Sequence, residues 1–243
     1  MANLASIAML AELDGILLID KPVGMSAHDV MKAVKTRFNL VKVGHGGTLD
    51  VTASGLFTLL LGNATRFSNS LMNGDRSYSA AIRLGRASDT HDRAGRIISE
   101  NPFDGVSRER LDAVLKDFRG DFYQSPPAFS AVKIPGHDGY DIVETPEEEA
   151  KRERLVHVYR FVVTEFAPPI IRADVFCTKG MSMRSLVGGI GDALGCGAIL
   201  EECRRIAAGR FKIEESMPFM DVLKLDAVEF KRRVIPTSEA GLR

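Results

Sequence analysis

A glycine-rich turn in the first quarter of the chain carries the residues best suited to chemistry. Residues 44–50 read Gly-His-Gly-Gly-Thr-Leu-Asp, so an acidic side chain ends the turn. Glycines let the backbone adopt φ > 0 and approach a ligand closely, which a Cβ would obstruct. The carboxylate of Asp50 could act there as a nucleophile or a general base. It could equally cap a following helix, because Asp is a favoured N-cap residue.

The segments that precede this turn would hold it in place. A continuous apolar run over residues 15–20, ended by Pro22, predicts a buried strand. Ser26 followed by Asp29 approximates a capping box and predicts a helix after that strand. The apolar residues at helical spacing in this helix are Val30, Val34 and Phe38.

The rest of the chain mixes further strands and helices. Loose alternation and β-rich composition predict strands over residues 76–84, 155–166 and 170–177, the last two paired. Helices are predicted over residues 56–61, 107–119, 184–195 and 199–208. Residues 124–150, rich in Pro, Gly and acidic residues, predict a loop with a short helix. Without regular βαβ alternation, this mixture indicates an α+β protein.

Composition limits the class of protein. The 243 residues suffice for one large or two small domains, and the hydrophobic content of 45% is typical of globular proteins. No apolar stretch approaches the ~20 residues of a membrane helix, so we expect no membrane partner. The three cysteines form neither an even set nor a Cys-x-x-Cys pair, so we expect no disulfide framework and no metal site. We expect the cysteines to be buried reduced thiols of a cytoplasmic protein.

The charge distribution leaves room for an acidic partner despite a balanced total. Thirty-two basic residues match thirty-two acidic ones, whereas a nucleic-acid-binding domain is often basic. Basic residues nevertheless cluster late in the chain, at Arg204, Arg205, Arg210 and Lys212. Such a local stripe can attract phosphates, although it can also be an ordinary solvated face.

A series of motifs in a fixed order extends over most of the chain and resembles the TruB family of tRNA pseudouridine synthases. The glycine-rich turn ending in Asp50 is one of these motifs, and Lys-Gly-x-x-x-Arg-Ser at residues 179–185 is another. The remaining motifs lie at residues 15–22, 62–66, 75–78, 84–95, 124–133, 195–198 and 204–211. One glycine-rich turn is weak evidence, whereas a long ordered series of motifs is strong.

The resemblance implies a fold, an activity and a partner. The fold would be the pseudouridine-synthase catalytic fold, a mixed and mainly antiparallel sheet flanked by helices. We expect this catalytic domain over residues 1–230, a C-terminal tail over residues 231–243, and no full PUA domain. The enzyme would flip uridine 55 out of the T loop of tRNA and isomerise it to pseudouridine. It would act as a monomer, with tRNA as its partner and without a metal or cofactor.

The resemblance also implies roles for individual residues. Asp50 would be catalytic, Arg184 would be its cationic partner, Tyr78 would stack on the flipped base, and His45 would fill the vacated space. Two pocket positions depart from the family pattern, because Ser182 replaces a tyrosine and Cys203 replaces a leucine that touches the base. The residues expected to contact RNA are Lys21, Lys133, Arg204, Arg205 and Arg210.

Two other functions fit the same motifs. The chain could be a tRNA folding factor that binds the T loop with weak or lost catalysis, since the pocket positions are altered. It could also be a pseudouridine synthase that acts on another RNA. Retention of Asp50 favours an enzyme, because a pure binding protein has no reason to hold a carboxylate against an RNA backbone.

Overall fold

The computed structural model of the protein describes residues 13–125 and 153–240. The chain divides into two compact units. The first unit joins Met1–Gly74 with Arg204–Arg243, and the second is Asp75–Cys203.

The secondary structure mixes strands and helices along the whole described chain. The elements before Asp75 are β1 (Gly15–Lys21), α1 (Ala27–Arg37), β2 (Val43–His45), β3 (Ser54–Leu61), a 3-10 helix (Gly62–Phe67) and α2 (Ser68–Met72). The next are β4 (Arg76–Leu84), β5 (Arg86–Ser88), β6 (Ile97–Glu100), α3 (Arg108–Val114), β7 (Gly120–Gln124), β8 (Arg154–Ala167), β9 (Ile170–Cys177) and α4 (Met183–Leu194). The last are β10 (Ala198–Ala208), β11 (Phe211–Lys212), a 3-10 helix (Ile213–Glu215), β12 (Met217–Pro218), α5 (Phe219–Val222) and α6 (Ala227–Arg233).

The sheet of the first unit is built around β1 and β3. Strand β1 lies between β12 and β3, and β3 also pairs with β2 and with the part of β10 that starts at Arg204. The β1–β12 and β3–β10 pairs are parallel, whereas β1–β3, β2–β3 and β10–β11 are antiparallel. Residues 15–20 therefore form the strand that the sequence predicts.

Both faces of β1 and β3 are buried, which explains a wrong prediction. Residues 56–61 form part of strand β3, not the helix expected from the sequence. Alternate residues of this strand enter two different apolar clusters, one containing Leu59 and α1, the other containing Leu60 and Phe211. A strand buried on both faces is a continuous apolar run, so periodicity alone does not separate it from a buried helix.

Helix α1 forms as the sequence predicts. Its N-cap, Ser26, accepts a hydrogen bond from the Asp29 backbone N–H, and the Asp29 carboxylate accepts one in return from the Ser26 N–H, both at 3.0 Å. The buried residues Val30 and Val34 then face the first apolar cluster. The capping box thus fixes where the chain turns from β1 into the helix that covers the sheet.

The last residues of the described chain pack on the first unit, and this corrects the expected tail over residues 231–243. Helix α6 crosses the predicted boundary at residue 230, and the ring of Phe230 stacks on Phe38 at 3.7 Å between centroids. Ile235 and Ile16 exchange two backbone hydrogen bonds of 2.8 Å. Residues 231–240 are therefore part of this unit, because their apolar side chains and backbone groups complete its core.

The second unit contains strands β4, β7, β8 and β9 and the first part of β10. Their order is β10, β4, β9, β8 and β7, and the pairs β4–β9, β9–β8 and β8–β7 are antiparallel. The predicted strands over 76–84, 155–166 and 170–177 are confirmed, as is the pairing of the last two. Helix α4 is confirmed as well and ends at Gly195, whose φ is +75°.

Two predicted helices differ from the structure. The helix expected over residues 107–119 is shorter, since α3 ends at Val114. Residues 199–208 form strand β10 and not a helix. Along this strand Cys203 and Arg205 are buried while Glu202 is exposed, which is a period of two. The buried residue Arg205 is charged, and a charged residue is ordinarily taken to face solvent. The alternation of buried and exposed positions is therefore not visible in the sequence.

The fold class agrees with the sequence: an α+β protein with a mixed, mainly antiparallel sheet and flanking helices. In the stretches that the structure describes, every helix is too short or too polar to cross a bilayer. Lys133 and nearly all of the predicted loop over residues 124–150 lie outside those stretches.

We expect Gly55→Ala to destabilise the first unit strongly. Gly55 has φ of +105°, and a Cβ there would lie 2.7 Å from the backbone nitrogen of Arg205 and closer still to its carbonyl oxygen. Steric overlap added to backbone strain should lower the free energy of unfolding by about 3–5 kcal/mol, measured by urea denaturation.

Gly24→Ala is the matched control, since Gly24 has φ of +88° with no atom within 4 Å of the added Cβ. It should cost only the strain of a left-handed backbone, about 1–2 kcal/mol. Equal losses in the two variants would contradict the close approach of Arg205 to Gly55.

Candidate active site

Asp50 lies in an exposed turn between β2 and β3. Its carbonyl accepts a hydrogen bond of 3.1 Å from the Ala53 N–H, and the next residues enter strand β3. The helix-capping alternative is therefore wrong, because no helix follows. The Val51 carbonyl accepts a 2.8 Å bond from the Gly24 N–H, which joins this turn to the loop after β1. The buried Leu49 side chain anchors the turn in the protein interior.

Two buried cations stand in register next to this turn. Gly55 of β3 pairs with Lys21 of β1 and with Arg205 of β10. The Lys21 side chain is fully buried, and its Nζ donates to the carbonyls of Pro22 and Met25 at 2.9 and 2.7 Å. The turn that carries Asp50 and the loop after β1 thus meet around buried positive charge.

Arg205 reaches the Asp50 turn directly. Its side chain is 3% exposed, Nε donates to the Leu56 carbonyl and Nη1 donates to the Thr48 carbonyl, each at 2.8 Å. Thr48 precedes Asp50 by two residues, whereas Leu56 belongs to β3. The guanidinium therefore links the turn to a fixed strand. These contacts suit a residue that supports the turn, and contact of Arg205 with RNA stays a prediction.

The charges in this region act on one another. Burial lowers the pKa of Lys21 to about 8, the nearby Asp50 carboxylate opposes this shift, and the positive charge of Arg205 adds to it. Burial also lowers the pKa of His45, again with a contribution from Arg205. Asp50 therefore supplies negative charge that favours the protonated form of Lys21.

His45 stands at the end of β2, close to Asp50 in sequence. Its Nδ1 accepts a hydrogen bond of 3.2 Å from the Gly47 N–H, so the neutral ring carries its proton on Nε2. The His45 carbonyl accepts a bond of 2.7 Å from the Ser68 hydroxyl. With its lowered pKa the ring is uncharged at neutral pH, which suits a residue that contacts a base and not a phosphate.

Arg204 and Arg210, both predicted to contact RNA, have protein partners in the structure. The Arg204 guanidinium forms a two-pronged ion pair with Asp20 at 2.6 and 3.0 Å. Arg210 donates to the Glu239 carbonyl at 2.9 Å and lies over the ring of Phe211. Each keeps exposed surface, so their contacts with RNA stay predictions.

The second unit holds the other candidate residues. Tyr78 on β4 is 9% exposed and pairs with Val175 of β9. Arg184 in the first turn of α4 is 7% exposed, and its Nη1 lies 3.4 Å from the Thr90 carbonyl that it donates to. Cys203 on β10 is a buried cysteine that forms no disulfide. Their roles toward a substrate stay predictions.

Ser182 has a structural role that the sequence did not reveal. Its hydroxyl accepts a hydrogen bond of 3.2 Å from the Ser185 N–H and so caps helix α4. The side chain of Gln124 also bonds both backbone groups of Ser182, at 2.7 and 3.0 Å. The pattern Ser-x-x-Ser before an apolar helix was the available signal for the cap. The contact with Gln124 is long-range and has no local signal.

No metal centre is evident within residues 13–125 and 153–240, where no three His, Cys, Asp or Glu side chains could share an ion. The chemistry available at this turn is that of the exposed Asp50 carboxylate, next to buried cations and a neutral histidine. Such a site suits nucleophilic or general-base catalysis on a polar substrate.

Comparison with known proteins identifies the class. Among solved structures, a chain in the crystal structure of a Cbf5–Nop10–Gar1 complex matches with a TM-score of 0.73 and 29% identity over 96% of this chain. This chain spans 63% of the length of that one. The fold is thus that of pseudouridine synthases.

The family follows from sequence. The model of the TruB family pseudouridylate synthase N-terminal domain matches residues 35–183. The tRNA pseudouridine synthase B of Opitutus terrae is 36% identical over 95% of either chain. That of Chromobacterium violaceum is 39% identical over 88% of this chain and 70% of its own. The chain belongs to the TruB family of pseudouridylate synthases.

We expect the burial of Lys21 to show in the pH dependence of stability. The pKa of Lys21 falls from 10.5 to about 8 on folding, so between these values the unfolded state binds more protons. The free energy of unfolding should therefore rise with pH in this window, by about 1–3 kcal/mol relative to Lys21→Met. Chemical denaturation of both proteins at several pH values measures the difference.

Lys224→Met is the control, because Lys224 is an exposed lysine that pairs with the neighbouring Asp221. Its stability should follow that of the wild type across the same window. If the free energies of unfolding of wild type and Lys21→Met differ by the same amount at every pH, the lowered pKa of the buried Lys21 is contradicted.

Proposed function

We propose that this chain isomerises uridine 55 in the T loop of tRNA to pseudouridine, with Asp50 as the catalytic carboxylate. The observation that carries the proposal is the exposed Asp50 on a glycine-rich turn held by the buried Arg205, in a chain of the TruB family. The names of the curated relatives, tRNA pseudouridine synthase B, support tRNA as the substrate.

The reaction needs nothing beyond the RNA and one carboxylate. The bond between ribose C1′ and uracil N1 breaks, the base turns, and C1′ rejoins the base through C5, whose hydrogen moves to solvent while N1 gains a proton. No electrons are gained or lost and no second substrate enters, so no cofactor is required. Asp50 acts either as the nucleophile or as the base that starts the cleavage.

The substrate base must leave its stack before it can react. Extrusion of a stacked uridine costs a few kcal/mol. Tyr78 offers an aromatic face, and stacking of this kind contributes about 1–3 kcal/mol per base. Arg184 supplies the positive charge for the catalytic carboxylate, and the neutral His45 fills the space that the base leaves. Ser182 and Cys203 complete the pocket positions of this proposal.

The proposal also covers the affinity for RNA, the oligomeric state and the cellular location of the enzyme. The T stem-loop is held through phosphate contacts by Arg204, Arg210 and Lys133, since such contacts supply most of the affinity for nucleic acids. The buried Lys21 and Arg205 bond backbone carbonyls around the Asp50 turn and serve as supports of that turn. The enzyme works as a monomer in the cytoplasm and uses no metal.

An RNA other than tRNA is the second candidate substrate. A structure of an H/ACA RNP bound to a substrate RNA contains a chain 26% identical to this one, and this chain spans 62% of its length. The tRNA pseudouridine synthases B of Opitutus terrae and Chromobacterium violaceum are 36% and 39% identical to this chain, which covers 95% and 70% of their length. The higher identity and fuller coverage favour tRNA.

We expect Asp50→Asn to abolish pseudouridine formation while T-loop binding stays within about tenfold of the wild type. The amide can neither attack nor accept a proton, whereas phosphates and stacking supply the affinity. Single-turnover assays on a T stem-loop RNA and filter binding of the same RNA measure the two quantities.

Asp221→Asn serves as the control, since Asp221 is a partly exposed aspartate of the same unit paired with Lys224. It should keep wild-type rate and affinity. Normal turnover by Asp50→Asn would show that another group carries the reaction.

We also expect Tyr78→Leu to slow the single-turnover rate by about 10- to 100-fold, which corresponds to the loss of 1–3 kcal/mol of stacking. Tyr78→Phe keeps the ring and should recover most of that rate. Tyr159→Leu removes a half-exposed tyrosine from β8 of the same unit and should have no effect. A leucine variant as fast as the phenylalanine variant would exclude stacking on Tyr78.

A further inference from the structure

The guanidinium of Arg205 holds the two ends of the segment that carries Asp50. Nε bonds the Leu56 carbonyl and Nη1 bonds the Thr48 carbonyl, both at 2.8 Å. These carbonyls lie two residues before and six residues after Asp50. Between them the Ala53 N–H bonds the Asp50 carbonyl and closes the turn. A planar fork with two bonds fixes the distance and the angle between its two acceptors.

One end of this link is rigid. Leu56 is fully buried in β3, which pairs with β1 through residues 55–61. Thr48 lies in the exposed part of the turn. Gly55, in register with Arg205, has no Cβ and so allows the arginine backbone to come close enough for the fork to reach both carbonyls. Movement of Thr48, and with it the Asp50 carboxylate, is therefore restrained relative to the sheet.

We propose that Arg205 is a positioning residue, which places the Asp50 carboxylate for reaction by bonding Thr48 and Leu56. This inference rests on the proposed function of Asp50 and extends it to a residue that need not touch the RNA. Misplacement of a reacting group by about 1 Å can cost about a hundredfold in rate. A lysine offers one nitrogen and cannot hold both carbonyls in the same geometry.

The first unit contains an exposed arginine with similar hydrogen bonds away from the turn. Arg37 of α1 donates from Nε to the Leu223 carbonyl at 2.9 Å and from Nη2 to the Leu225 carbonyl at 3.0 Å. Its fork also links two backbone carbonyls, but the segment that it closes carries no residue of the proposed site. Arg37→Lys therefore controls for the loss of one such hydrogen bond.

The experiment compares wild type, Arg205→Lys and Arg37→Lys by single-turnover rate and Kd on a T stem-loop RNA. We expect Arg205→Lys to lower the rate by about 10- to 100-fold with Kd within about threefold, and Arg37→Lys to change neither. A rate for Arg205→Lys equal to that of Arg37→Lys would overturn the proposal. An unchanged rate with a Kd weakened more than about tenfold would overturn it too, since Arg205 would then contact RNA.

Amide hydrogen exchange separates this inference from the proposed function. In Arg205→Lys the amides of residues 46–53 should exchange faster than in wild type, whereas in Arg37→Lys they should not. This holds even if the wild type fails to isomerise uridine, a result that would overturn the enzyme reaction alone. Equal exchange in both variants would overturn the positioning role.

Arg205→Gln, which keeps one donor without a buried charge, replaces Arg205→Lys if the latter does not fold. If neither variant folds, exchange in the wild type decides. The Arg205 Nε–H and the amides of residues 46–53 should then open together, with equal protection. Protection of Nε–H without protection of the turn would overturn the proposal.

Discussion

The burial of two positive charges beside one glycine is the constraint on which the site depends. A buried ion costs several kcal/mol unless it is paired and hydrogen-bonded. Lys21 and Arg205 meet this requirement with backbone carbonyls, those of Pro22 and Met25 for the lysine and those of Thr48 and Leu56 for the arginine. The loop after β1 and the turn that contains Thr48 are thereby fixed around Asp50, whose negative charge offsets part of the cost for Lys21. Only a glycine at position 55 leaves room for this arrangement.

Local signals predicted the elements that have local causes. The capping box of Ser26 and Asp29 defines the start of α1, and the glycine at position 195 defines the end of α4. The two failures, residues 56–61 and 199–208, are strands whose character depends on distant partners. One is buried on both faces and lacks a polar alternate residue, and the other turns a charged side chain inward. Neither feature is visible without the neighbouring strands.

The residues of the candidate site also divide into those with a local sequence signal and those whose role depends on distant partners. Glycine spacing and the ordered motifs pointed to Asp50, and the structure shows it on an exposed turn without a following helix. Arg205 was predicted to contact RNA because its charge is visible in the sequence. Its burial and its bonds to Thr48 and Leu56 are visible only in the structure. Ser182 was predicted as a pocket position, and the structure adds that its hydroxyl caps α4 through the Ser185 N–H while Gln124 bonds its backbone. Roles that depend on long-range hydrogen bonds could not be predicted from the sequence.

We propose that this TruB-family chain converts a T-loop uridine of tRNA into pseudouridine. Mapping of pseudouridine across all tRNAs of cells that have or lack this chain tests it most directly. We expect loss of the modification at uridine 55 alone when the chain is removed, and its return when the wild-type chain is restored. Unchanged modification at uridine 55, or loss confined to another RNA, would contradict the account.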